Sequence, residues 1–315
     1  MSGEMIGAMS GADFVALSLT PLLVAVLAAM ACALPGNFLL LRRQALIGDA
    51  ISHVVLPGIV LAFLLTGTIA TWPMMLGAGA AALVSVGLIE AIRRLGRVEP
   101  GAAMGVVFTT LFAAGVLTLE LSDTASVHLD VEHALYGNLE SLIWLDATGW
   151  ASLTDPQALA GLPPQLGRLA AVLALLAAGA ALFWKELALS TFDAGFAASI
   201  GARPGAVGFG LVTATAVAAV AAFDAVGSVI VIAMFICPPA AARLMTNRLD
   251  AQVAWSLGFA ALSAVVGFVL AGWGPGWLGW PHAVSAAGMI ATVSGLVLAC
   301  AAVAGPARRR TGAPA

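Results

Sequence analysis

The 315-residue chain is 61% hydrophobic and only 9% charged, with a mean hydropathy of +1.04 and a formal net charge of −3. A soluble domain of this length could not enclose so much apolar surface, so the chain reads as a polytopic helical membrane protein. The apolar residues come in long runs, not in alternation, which argues against a β-barrel. The scattered basic residues form no nucleic-acid patch.

In chain order, nine spans are expected at roughly 14–34, 45–66, 72–92, 101–121, 168–184, 204–222, 225–242, 252–272 and 283–303, an all-α fold forming a single transmembrane domain over 1–315. No basic segment precedes the first apolar run, which is also too long for a signal h-region, so it is read as a permanent helix. With the N-terminus outside, the cytoplasmic segments hold Arg42, Arg43, Arg93, Arg94, Arg97, Lys185, Arg203, Arg243, Arg248 and the short basic tail 304–315 with Arg308 to Arg310. Of the basic residues only Arg168 then lies outside, the distribution the positive-inside rule favours, and the C-terminus is cytoplasmic. The same layout places Glu4, Asp13, Glu120, Asp123, Asp130, Glu132, Glu140, Asp146 and Asp155 at the outer face. They read either as a cation-concentrating entrance or as what remains once Lys and Arg are kept inside.

The second span carries the sharpest constellation. Asp49 and His53 stand at i and i+4, on one face of a helix and about 6 Å apart along its axis. If the helix runs through Pro57, the ring displaces the hydrogen bond to the His53 carbonyl and frees that oxygen. Ionisable groups in lipid-grade sequence are functional candidates by default. A carboxylate oxygen with an imidazole nitrogen suits Mn²⁺, Fe²⁺ or Zn²⁺, and two ligands are few enough to let an ion go. The competing reading is a helix-end pair, with Asp49 capping or pairing with Arg42 or Arg43.

Two segments depart from the rhythm of spans and short loops. The outer stretch 122–167 is too long for a simple connection and is expected to be interfacial or re-entrant, with short helices and with Trp144 and Trp150 at the interface. On the cytoplasmic side, 185–203 can form a short helix capped by Thr191 or Asp193, running through Ile200 and ended by a left-handed Gly201. Such a helix is not needed to reverse the chain and reads as a docking element.

Weaker candidates follow. Asp224, flanked by apolar sequence, is a third metal-ligand candidate, an entrance charge or a turn residue between two spans. His128, Asp130, Glu132 and His133 have metal-like spacing but read as solvated loop residues, as does His282. Cys237-Pro238-Pro239 has the form of a metal-pump motif and is read instead as a buried thiol before a proline break. Cys32, Cys237 and Cys300 suit buried side chains better than a disulfide framework. No GxxxxGK[ST] loop is present, so the chain is not expected to be an enzyme that harvests ATP itself.

The segment LPGNFLLLRRQALIGDAISHVVLPGIVLAF resembles the characteristic stretch of the permeases of ABC importers for manganese, zinc and iron. Further similar blocks follow in the family's order: RLGRVEPGAAMGVVFTTLFAAGVLTL, HLDVEHALYGNLESLIW, KELALSTFDAGFAASIGA and AVGSVIVIAMFICPPAAARLM. The chain departs from the pattern at Cys237, where an aliphatic residue is usual, and at PHAVSAAG, where a Pro-Ser/Thr-Gly opening is expected. HLDVEHALYGNLE looks more like the manganese/iron branch than the zinc branch.

The resemblance implies a bacterial inner-membrane permease subunit that imports a divalent transition-metal ion by alternating access. It implies Asp49 and His53 as in-membrane metal positions, whereas Asp224 remains a candidate from its apolar flanks alone. It also implies a cytoplasmic coupling helix, to which Thr191, Phe192, Asp193, Phe196, Ala197 and Gly201 belong. Implied partners are a cytoplasmic ATPase dimer, a second permease copy or paralogue and an extracytoplasmic metal-binding protein, all in membrane lipid. The metal would be cargo, with no permanent cofactor, and ATP would be used by the partner. Two alternatives stand beside this reading: a permease for metal chelates such as cobalamin or siderophores, and an ATP-independent secondary transporter or channel.

Overall fold

The structure, a computed structural model, describes residues 11–68, 71–121, 137, 139–277, 279–280 and 284–305. Every long element among them is a helix: α1 (Gly11–Leu41), α2 (Leu46–Thr66), α3 (Thr71–Gly96), α4 (Pro100–Leu121), α5 (Pro156–Ala160), α6 (Pro164–Leu182), α7 (Trp184–Phe192), α8 (Ala194–Ser199), α9 (Pro204–Met245), α10 (Leu249–Trp277) and α11 (Ala286–Ala304). Seven of these, α1, α3, α4, α6, α9, α10 and α11, have described stretches long and apolar enough to cross a membrane. The chain is a multi-pass integral membrane protein. α1 and α9 lie at the centre; α2, α3 and α4 pack together on one side, α10 and α11 on another, and α6 lies along α1 and α9.

α1 runs past the expected end at residue 34, because Pro35 is carried inside the helix. Its entry holds a π-helical turn over Val15–Leu19. Such a turn leaves a carbonyl without its usual i+4 partner. The Ala16 carbonyl instead accepts from the Trp144 backbone N–H at 2.8 Å, so the outer segment is stitched onto the first helix.

The expected spans 204–222 and 225–242 fall within α9, which consists of two helices meeting across a kink at Gly227 (φ 73°, ψ 173°). This backbone conformation is essentially reserved for glycine. Asp224 is therefore a helical residue one turn before the break and not a turn residue. Pro238 and Pro239, expected to break the chain, are carried inside α9. Pro239 cannot donate to the Phe235 carbonyl. That carbonyl faces Gly36 of α1, where a Cβ would collide with it, so the glycine lets the two backbones close over the proline site.

Three contacts hold α2. A Cβ at Gly48 would strike the fully buried Phe235 ring, and Pro57 abuts Gly115 of α4. Gly58 and Gly77 of α3 pack backbone to backbone, each leaving no room for a Cβ on the other. Small residues permit this approach in lipid, where burial of apolar surface gives no drive for helices to associate.

Candidate translocation path and coupling surface

α2 carries Asp49 and His53 one turn apart, and it does run through Pro57, ending at a left-handed Gly67 whose N–H donates to the Phe63 carbonyl at 2.7 Å. The condition for a freed His53 carbonyl is met. Ala50, Ile51 and Val54 are buried against the bundle, so both positions sit on a helix locked in place. The Asp49 and His53 side chains lie outside the described residues, as do His128, Asp130, Glu132, His133 and His282. Among the described residues no group of three or more His, Cys, Asp or Glu side chains is assembled.

Asp224 meets Arg168 of α6, the one basic residue assigned to the outer side; Nη1 donates to Oδ2 at 3.0 Å, and the same nitrogen lies 3.0 Å from the Met75 sulfur of α3. Two other acids of the expected outer face are also engaged. Glu140 Oε1 accepts from the Ala286 N–H at 3.1 Å, capping the start of α11 from outside that helix. Asp155 accepts from the Gln157 N–H at 3.0 Å and caps α5. These carboxylates satisfy helix-end donors, as helix starts require.

The described part of the outer segment holds 3₁₀ turns at Leu139–Ser141 and Trp150–Thr154 before α5 and packs against the entry of α1. Trp144 is not turned to the membrane interface as expected. It is 1% exposed, packs on Val15, Ala147 and Ala158, and donates from Nε1 to the Ala158 carbonyl at 2.8 Å. A buried indole needs such an acceptor. Trp150 is exposed and stacks on Phe14, ring centres 6.2 Å apart. At the inner end of this segment Gly137 (φ 70°) presses onto the Val226–Gly227 peptide, so the outer segment seats directly on the break in α9.

On the other side, α7 ends at Phe192 and Asp193 caps α8, its Oδ1 accepting from the Phe196 N–H at 2.8 Å. Thr191, the alternative cap, is used differently: its Oγ1 accepts from Arg42 Nε at 3.1 Å, while Ser190 Oγ accepts from Arg42 Nη2 at 2.6 Å. Burial pulls the Arg42 guanidinium below its ordinary pKa. After Ile200 the chain turns at Gly201 (φ 87°), with the Ala202 N–H returning to the Ala197 carbonyl at 3.0 Å. Ala197 is fully buried, whereas Phe192, Phe196 and Ile200 are exposed. Three large apolar side chains thus stand exposed around one short helix, Phe196 on α8 and Phe192 and Ile200 flanking it.

A cavity of about 530 Å³ opens between α1, α6 and α9, lined by residues such as Phe38, Leu176, Phe183, Leu211 and Thr213. With no carboxylate, imidazole or thiol in its lining, it has no ligands for a bare ion.

A family model described as the ABC 3 transport family matches residues 16–147 and 162–302. The chain belongs to that family. Among members of the ABC 3 transport family, it is 38% identical over 282 residues to the "Manganese transport system membrane protein MntD" of Bacillus subtilis (strain 168), covering 90% of each chain. It is 41% identical over 216 residues to the "Zinc transport system membrane protein TroD" of Treponema pallidum (strain Nichols), covering 69% of this chain and 56% of that one. Its fold matches the solved structure of PsaBC from Streptococcus pneumoniae in complex with Fab with a TM-score of 0.73 over 92% of each chain, at 24% identity.

Residue reading alone missed the Arg168–Asp224 pair, the Glu140 cap and the Arg42 contacts. Each joins positions far apart in the chain, and the only sequence signal was a polar residue at the edge of an apolar run.

Proposed function

We propose that this chain is the membrane permease subunit of an ABC importer that moves a divalent transition-metal ion, Mn²⁺, Zn²⁺ or Fe²⁺, into the cytoplasm across the bacterial inner membrane. The observation that carries the reading is a carboxylate and an imidazole at i and i+4 on a locked, proline-containing helix of an ABC 3 transport family chain. The similarity to the manganese protein over 90% of both chains supports a metal cargo.

Asp49 and His53 hold the partly dehydrated ion in passage, and the freed His53 carbonyl is a further oxygen within the same turn. Asp224, paired with Arg168, is a charge on the outer approach. The Phe192, Phe196 and Ile200 surface, set by the Asp193 cap and the Gly201 turn, docks the ATPase dimer, whose ATP cycle shifts a permease pair between outward- and inward-open states. An extracytoplasmic metal-binding protein delivers the ion to the outer segment. Two internal contacts support the assigned grouping of segments by side, Arg42 meeting the coupling segment and Arg168 meeting Asp224, while the orientation itself rests on the distribution of basic residues.

Proteoliposome uptake of Mn²⁺, Zn²⁺ and Fe²⁺ with the partners present tests the reading. An Asp49→Ala/His53→Ala variant that assembles with its ATPase is expected to lose uptake of the preferred ion. Parent-level uptake by that variant removes the ligand assignment.

A further inference from the structure

We propose that Arg42 is the positioning residue that carries movement of the coupling segment into the first turn of α2. The consequence for metal passage rests on the importer reading above; the mechanical link does not.

Arg42 stands at the end of α1 and reaches two successive hydroxyls of α7, Ser190 and Thr191, through different nitrogens of one planar fork. A guanidinium can do this with fixed geometry, whereas an ammonium makes only a point contact. Its Nη1 also lies against α9, since a Cβ at Gly208 would come within 3.2 Å of it. Ser190 and Thr191 lie three and two residues before Asp193, the cap of the helix that presents Phe196. Any displacement of that helix therefore reaches the Arg42 acceptors within two or three residues.

The other side of Arg42 has no slack. Only residues 42–45 separate α1 from α2, and the corner is bonded to itself: the Arg43 N–H to the Leu40 carbonyl at 3.0 Å, Gln44 to Leu39 at 2.8 Å and Ile47 to Gln44 at 3.0 Å. Arg43 sits at φ 59°, a left-handed conformation uncommon for a residue with a Cβ. Strain of this kind persists where the surroundings over-determine the backbone. The first turn of α2 then meets Phe235 of α9 at Gly48. A shift at Ser190 and Thr191 must either break both hydrogen bonds or turn the corner and move residues 46–49. The acceptors are neutral hydroxyls, so the bonds can break and re-form within a cycle, unlike a buried ion pair.

The test uses the full complex with its ATPase partner in lipid nanodiscs, with Cys32, Cys237 and Cys300 replaced by alanine and a spin label attached through Leu46→Cys, an exposed position on the first turn of α2. ATP is expected to change the label's mobility in the parent. Arg42→Gln and, separately, Ser190→Ala/Thr191→Val are expected to abolish that response, with Arg42→Lys retaining part of it. In proteoliposomes the same two variants are expected to raise ATP hydrolysed per Mn²⁺ ion taken up at least tenfold. Combining them should raise it no further. A Leu46 label silent to ATP in the parent, or one that responds equally in Arg42→Gln, overturns the proposal. So does a parent ratio of ATP to ion in Ser190→Ala/Thr191→Val, which decides the matter if Arg42→Gln fails to copurify with the ATPase. Absence of metal uptake by the parent would sink the cargo reading alone, because the label response still reports on Arg42.

Discussion

Replacing Gly227 with alanine isolates the break in α9 from the rest of the helix. At φ 73° and ψ 173° the residue occupies a region essentially closed to side chains, and forcing an alanine there costs about 1–3 kcal/mol. Gly210, also in α9, offers an internal control: it is exposed, and its Cβ would meet open space. Gly210→Ala should therefore stabilise by up to about 1 kcal/mol through helix propensity. The same one-methyl change at two places in α9 is expected to differ by about 1–4 kcal/mol, or roughly 2–6 °C in Tm for a protein of this size. Thermal unfolding of the purified permease in detergent measures this directly. Gly137→Ala should also destabilise, by about 1–3 kcal/mol, because its Cβ overlaps the Val226–Gly227 peptide. The double variant should lose less than the sum, since both changes damage one contact. Equal melting temperatures for Gly227→Ala and Gly210→Ala would refute the assignment of Gly227 as an obligatory break.

Asp193→Ala removes the cap of a six-residue helix and is expected to cost about 1 kcal/mol. Affinity for the ATPase partner should fall about fivefold, with Asp193→Asn recovering most of it; titration of the purified subunits checks both. Trp144→Phe deletes the hydrogen bond to the Ala158 carbonyl and should loosen the outer segment by about 1 kcal/mol, read as faster hydrogen exchange over residues 139–162. The exposed Trp150 should tolerate the same change without such acceleration.

Features that depend on local order were legible in the residues alone. Long apolar runs dictated a bundle of membrane helices, because lipid leaves the backbone no hydrogen-bond partners but its own. The i, i+4 spacing of Asp49 and His53 fixed their separation on α2, and the Asp193 and Gly201 signals marked both ends of α8 because caps act over two or three residues. Prolines were the misleading local signal: Pro35, Pro238 and Pro239 all stayed inside helices, since close packing against another helix can accommodate a missing N–H. What Trp144, Glu140, Asp224 and Arg42 do, and that α9 breaks at Gly227, emerged from how the helices pack. Trp144 is a core anchor, Glu140 a remote helix cap, Asp224 the partner of Arg168, and Arg42 a tie to the coupling segment. Those roles join residues separated by 14 to 149 positions, and a hydrogen bond or ion pair at that range is set by which helices lie side by side. Helix adjacency in lipid is decided by where small residues let backbones close, as at Gly58 and Gly77, and the chain's own order does not specify which of its many small residues will meet.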